Sequence, residues 1–177
     1  QIDVTQGCTS GPVTFHDVSN LNGSGDIISR NWNFGDPASG SANTSNLTNP
    51  THIFSSAGDY DITLIIESSS GCSDTATITI TVTDEPVVDF TFTPACMGEE
   101  VIFTITDLTD LDTYFWDFGD GNTSQQPDPT NTYSAPGDFE VTLVVQTIDG
   151  CSATMSHTVT VNPLPTARFE YSQPTCQ

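Results

Sequence analysis

Trp116-Asp117-Phe118-Gly119-Asp120-Gly121 reads as a strand running into a tight turn, and it has an earlier twin in Trp32-Asn33-Phe34-Gly35-Asp36-Pro37. Downstream of each, Phe54 to Val82 aligns without a gap to Tyr133 to Val161, an offset of 79 positions (54 to 133). At the tryptophans the offset is 84 (32 to 116), so the first copy carries five extra residues after Asp36, around Asn43-Thr44-Ser45-Asn46. A place that accepts insertion reads as a surface loop. Thr166-Ala167-Arg168-Phe169-Glu170-Tyr171, followed by Cys176, repeats the pattern of Val88-Asp89-Phe90-Thr91-Phe92 followed by Cys96. The chain is therefore read as one repeat over 1–85, a second over 86–163, and the start of a third over 164–177. Chemistry suggested by one copy has to be weighed against its twin.

The 177 residues carry a net charge of −21, with Arg30 and Arg168 as the basic side chains and no lysine. Nucleic acid is excluded as a partner, since neutralising phosphates needs clustered Lys and Arg. No stretch approaches the roughly 20 apolar residues of a membrane-spanning helix, so no membrane insertion is expected. The acidic surface has two readings: a solvated, self-repelling coat that favours solubility, or carboxylates neutralised by divalent cations.

Strand periodicity runs throughout. Tyr60, Ile62, Leu64 and Ile66 alternate onto one face, as do Phe139, Val141, Leu143 and Val145 in the second copy. Ala76, Ile78, Ile80 and Val82 turn inward while Thr75, Thr77, Thr79, Thr81 and Thr83 turn outward, which suits β-branched residues on a solvated strand face. Short strands with one apolar face predict two antiparallel sheets packed face to face in each copy, with almost no helix. Trp32 with Phe34, and Trp116 with Phe118, share a face and belong to the core, as in an immunoglobulin-like sandwich.

The combination of Trp116-Asp117-Phe118-Gly119-Asp120-Gly121, Pro129-Thr130-Asn131-Thr132-Tyr133 and Gly137 to Leu143 resembles the PKD (polycystic kidney disease) repeat. Copy one is similar, with Trp32 to Asp36, Pro50-Thr51-His52-Ile53-Phe54 and Gly58 to Leu64, departing at Pro37 and in its longer loop. The resemblance covers nearly the whole chain and implies an all-β fold of tandem immunoglobulin-like sandwiches. The added cysteines are similar to those of PKD repeats in large surface adhesins of gliding bacteria that use type IX secretion. Some PKD-like domains bind calcium near this turn, which points to Asp36 and Asp120, with Asp117 as an extra ligand. The junction Asp84-Glu85-Pro86 is a second place where a cation would stiffen a hinge. Asp74-Thr75-Ala76 resembles the O-glycan acceptor of those surface proteins and marks Thr75.

Repeat equivalence also sorts the cysteines. Cys8, Cys96 and Cys176 follow the first strand of a copy, and Cys72 and Cys151 each follow a Gly before its last strand. The economical pairing is Cys8–Cys72 and Cys96–Cys151, with Cys176 awaiting a partner in a third copy. The alternative is a set of buried free thiols in a reducing compartment. Disulfides would place the chain in an oxidising, extracellular setting.

No catalytic constellation emerges. Asp117-Phe118-Gly119 matches a kinase metal motif by letters alone, since a chain without lysine lacks the rest of that machinery. Asp117 and Asp120 form a carboxylate pair, but copy one has Asn33 in place of Asp117. His52 aligns with Asn131, so an amide serves there equally well, and His157 aligns with the inward Ile78, which predicts a half-buried His bonded to backbone. His16, at a strand end, has no partner at metal-ligand spacing. Asn22-Gly23-Ser24, Asn43-Thr44-Ser45, Asn46-Leu47-Thr48 and Asn122-Thr123-Ser124 fit the N-glycan pattern.

These readings converge on a non-enzymatic, cell-surface or extracellular repeat module. It would serve as spacer, stalk and adhesion surface of a long filamentous protein, meeting neighbouring repeats and extracellular protein or glycan surfaces. The rival is an accessory binding module of a secreted protease or polysaccharide hydrolase.

Overall fold

The computed structural model describes residues 2–4, 7–21 and 25–171. Cys176 and the Asn22-Gly23-Ser24 acceptor lie outside the described residues. Two compact units emerge: residues up to Val87 with Asp110–Thr113 and Val145–Ala153, and the remainder from Val88 onward.

The first copy contains β1 (Ile2–Val4), β2 (Gly7–Cys8), β3 (Val13–Asp17), β4 (Ile27–Asn33), β5 (Thr44–Ser45), β6 (Thr51–His52), β7 (Gly58–Ser68) and β8 (Ser73–Thr83). They form a three-stranded sheet ordered β1-β3-β6 and a five-stranded sheet ordered β2-β8-β7-β4-β5. The second copy repeats this with β9 (Phe90–Phe92), β10 (Ala95–Cys96), β11 (Glu100–Ile105), β12 (Leu111–Asp117), β13 (Thr123–Ser124), β14 (Thr130–Thr132), β15 (Gly137–Thr147) and β16 (Ser152–Asn162). Its sheets are ordered β9-β11-β14 and β10-β16-β15-β12-β13. The longer loop of copy one carries two short 3-10 turns within Pro37–Asn43, broken at Gly40 with φ of 63°. Residues 163–171 carry no regular structure.

In copy one Val13 and Phe15 from the smaller sheet meet Trp32, Ile62, Leu64, Ile80 and Val82 from the larger one in a single core. Trp32 and Trp116 are both fully buried. Each indole N–H still finds an acceptor, Leu47 O for Trp32 and Gln126 O for Trp116, both at 2.9 Å. Burial follows the expected alternation on β7, and on β8 Thr75, Thr77, Thr79 and Thr81 face water. Those hydroxyls also serve the acidic surface. Thr79 and Thr81 donate across the ladder to Asp61 and Asp59 at 2.6 and 2.7 Å, and Thr160 donates to Asp138 at 2.7 Å. In a chain almost without cations, cross-strand hydroxyls bind carboxylates where lysines would otherwise stand.

The sheets are not purely antiparallel. After β1 the chain changes sheet, and β2 pairs parallel to β8 with Gly7 opposite Val82 and Cys8 opposite Thr83. Likewise β10 pairs parallel to β16, Cys96 opposite Asn162. Pro94, between β9 and β10, suits that crossing because it has no N–H to commit to either sheet.

Candidate functional site

The Phe-Gly-Asp turn is where the sequence concentrates its signals. Gly35 and Gly119 have φ of 67° and 74°, in the left-handed region. A Cβ there would also lie 2.7 Å from Asp61 O and 2.6 Å from Glu140 O, backbone atoms that cannot move aside. Only glycine satisfies both demands. The residue before each Phe closes the turn from its side chain: Asn33 Oδ1 accepts from Gly35 N–H at 2.8 Å and Asp117 Oδ1 from Gly119 N–H at 2.9 Å. That is an Asx turn, which asparagine and aspartate form alike. It explains why the two copies interchange them.

The Asp of each turn is an acceptor for its own copy. Asp36 is 1% exposed. Its Oδ1 accepts from Ser55 Oγ at 2.6 Å, and its Oδ2 from Ser55 N–H at 2.9 Å and His52 Nε2 at 3.1 Å. Burial pushes this carboxyl up, but the Ser55 hydroxyl, the Ser55 amide and His52 together hold it below the ordinary aspartate value. Because the carboxyl is ionised, His52 Nε2 carries the hydrogen. The His52 ring stacks on Phe34 at 4.5 Å and meets Phe54 edge-on at 4.6 Å. In copy two Asp120 is half-buried and accepts from Asn122 N–H, Asn122 Nδ2 and, through Asn131 Nδ2, at 2.9, 3.0 and 2.9 Å. Asn131 thus does for Asp120 what His52 does for Asp36.

Asp36 and Asp120 accept N–H and O–H hydrogens from their own copy, and Asp117 is engaged by its own turn; a calcium ion there would need six to eight oxygens. Among the described residues no group of three or more His, Cys, Asp or Glu is placed to hold a metal ion. At the junction, Glu85 accepts from Ser10 N–H at 2.7 Å and Thr9 Oγ1 at 3.0 Å, and Asp84 from the same hydroxyl at 3.1 Å. The Ser10 hydrogen bond is the main reason the Glu85 carboxyl is lowered to about 2.

Two expectations need correcting. His157 is bonded to the Asp89 carboxylate at 2.6 Å, not to backbone, with Phe90 edge-on at 4.7 Å. More consequentially, the disulfide joins Cys8 to Cys151, and Cys72 and Cys96 are free thiols. The pairing of Cys8 with Cys72 and of Cys96 with Cys151 fails on length. Cys8 is level with Thr83, whereas Cys72 precedes Ser73 at the opposite end of the eleven-residue β8. At about 3.3 Å per residue that is more than roughly 30 Å, and a disulfide needs Cα atoms within about 7 Å. Cys96 and Cys151 are likewise at opposite ends of β16. The register of β2 against the last residues of β8 is what sets Cys8 beside Thr83 and away from Cys72.

Sequence reasoning also missed the ion pair of Arg30 Nε with Asp17 Oδ2 at 2.6 Å. Its signal was the solitary arginine of copy one, placed within a strand. Thr75 is exposed on β8, Asn43 Oδ1 is occupied by the Asp36 N–H, and Asn122 Nδ2 is occupied by Asp120 and Asn131.

The family model for the PKD domain matches twice, over residues 2–82 and 83–162. The chain belongs to the PKD domain family. Its PKD domains are similar to part of a microbial collagenase of Vibrio alginolyticus, 39% identical over 72 residues, covering 38% of this chain and 9% of that protein. They are similar also to the pre-pro-metalloprotease PrtV of Vibrio cholerae, 43% identical over 61 residues (33% and 7% covered), and to collagenase ColA of Bacillus cereus, 31% over 80 residues (45% and 8%). The chain therefore spans less than a tenth of the length of these relatives. Among solved structures, the PKD1 domain of the Vibrio cholerae metalloprotease PrtV is 33% identical, with 44% of this chain and 98% of that one covered and a TM-score of 0.40. The PKD1 domain of Vibrio anguillarum Epp is 28% identical, with 45% and 96% covered and a TM-score of 0.42. Among the described residues no helix is long and apolar enough to cross a membrane.

Proposed function

We propose that these PKD domains are a non-catalytic accessory module of a larger secreted protease, acting outside the cell to place a neighbouring catalytic domain on its protein substrate. The observation that carries this reading is the nature of the relatives: collagenases and a metalloprotease, each matched over about one repeat's length. The Cys8–Cys151 bond supports an oxidising location. A polysaccharide-hydrolase placement has less support, because both tryptophans are buried and no indole is left to stack on sugar. Co-sedimentation with insoluble collagen fibrils tests the reading, with cellulose as control. Depletion of the chain by collagen alone is expected; equal recovery in both supernatants would overturn substrate binding.

A second reading, a spacer or adhesive stalk of a long surface protein, has support from the abutting matches at 2–82 and 83–162 and from the third-copy pattern at 166–171. Here the partners are neighbouring repeats and extracellular surfaces, and exposed Thr75 is a proposed O-glycan site.

A further inference from the structure

Each copy of the repeat carries one cysteine at each end of its last strand. Cys8 and Cys96 stand level with the ends of β8 and β16, and Cys72 and Cys151 sit in the hairpins that open those strands. The bond that forms takes one of each kind from different copies: strand-end Cys8 with hairpin Cys151. What remains is one hairpin cysteine, the exposed Cys72, and one strand-end cysteine, the half-buried Cys96.

We propose that Cys72 and Cys96 are the two unpaired halves of this same disulfide, each built to bond the complementary cysteine of a further copy of the repeat. Cys96 takes a hairpin cysteine, and Cys72 takes a strand-end cysteine. The bonded pair itself is the template. The hairpin around Cys151 is closed by Thr147 N–H to Cys151 O at 2.8 Å and Gly150 N–H to Thr147 O at 2.9 Å; around Cys72 the same bonds run from Ser68 N–H at 2.8 Å and Gly71 N–H at 2.9 Å. At the other end, Cys8 O accepts from Gly11 N–H at 3.2 Å while Thr9 N–H reaches Thr83 O at 3.1 Å. Around Cys96, Cys96 O accepts from Glu99 N–H at 3.1 Å and Met97 N–H reaches Asn162 O at 2.9 Å. The free cysteines are thus held by the same backbone frames as their bonded twins. Within one copy the two kinds are too far apart to meet, so the partner has to be another copy.

Forming the bond removes two electrons and two protons from a pair of thiols, and a small disulfide oxidant accepts them. One thiolate attacks the oxidant's disulfide and expels one thiol. The second thiolate attacks the protein sulfur of that mixed disulfide and expels the other.

The whole chain carries both halves, so it tests itself. Isotopically heavy and light chains, both Cys176→Ser to remove the fifth cysteine, are mixed and treated with oxidised glutathione. The expected result is a non-reduced ladder in multiples of the 18.9 kDa chain, with Cys72–Cys96 peptides joining heavy to light. The ladder should be lost when every chain is also Cys72→Ser. Cys72–Cys72 or Cys96–Cys96 bonds in proportions set by chance would overturn the proposal. So would free thiols persisting beside an intact Cys8–Cys151 bond.

Discussion

His52 Nε2 donates to Asp36 Oδ2 at 3.1 Å, and the aligned Asn131 Nδ2 donates to Asp120 Oδ2 at 2.9 Å. Two different side chains at one repeat position therefore perform one task, holding the Phe-Gly-Asp carboxylate against its own sandwich. The task needs a donor at that reach, not a proton shuttle. His52→Asn should accordingly be milder than His52→Ala in urea unfolding. The alanine variant leaves a buried carboxylate short of a donor, which costs about 1–3 kcal/mol, and both variants lose the stacking on Phe34.

The turn glycine is the least replaceable residue of the motif. Gly119→Ala forces a side chain into left-handed backbone and against Glu140 O at 2.6 Å. We expect a loss of about 2 kcal/mol or more, seen as a lower melting midpoint. Gly11→Ala, where the new Cβ meets nothing within 4 Å, should be close to neutral.

Acid should expose the bound carboxylates. Asp36 in the folded chain titrates below its ordinary value, and Glu85 is lowered to about 2. For a lowered group, the folded form binds its proton less readily than the unfolded form. Its stabilisation is present above the unfolded value, near 4, and is lost as pH falls through the folded value. Stability measured between pH 6 and 2 should therefore fall at the acid end. Asp36→Asn should flatten that fall, and an unchanged slope would show that the Ser55 and His52 bonds do not govern it.

The sandwich was legible because alternation is a local signal: Ile62 with Leu64, and the threonine row of β8, report their faces without any knowledge of the partner sheet. The Asx role of Asn33 and Asp117 was not read from the sequence, although the exchange of an amide for an acid between the twins was its signal. What else stayed hidden depended on strand register and long-range packing. Nothing in Cys8 or its neighbours says that β2 pairs with the last residues of β8, and that register decides which end of the strand the sulfur reaches. Ser55 as a donor to Asp36 required the chain after β6 to fold over the turn, and Asp17 as the partner of Arg30 required the end of β3 to meet β4 from the other sheet.

Calcium is expected to leave the protein unmoved. Because Asp36 and Asp120 already accept from protein donors, millimolar calcium should shift the melt no more than sodium chloride of equal ionic strength, and Asp120→Ala should not alter that response. A calcium-specific rise of several degrees that disappears in Asp120→Ala would mean that the ion displaces Asn122 and Asn131 from the carboxylate.

The most direct measurement is a disulfide map of the untreated protein, digested without reduction after free thiols are blocked at low pH. The structure predicts one peptide pair joining Cys8 to Cys151, with blocking label on Cys72 and Cys96. A map joining Cys8 to Cys72, or Cys96 to Cys151, would contradict the parallel placement of β2 and β10 and the pairing rule drawn from it.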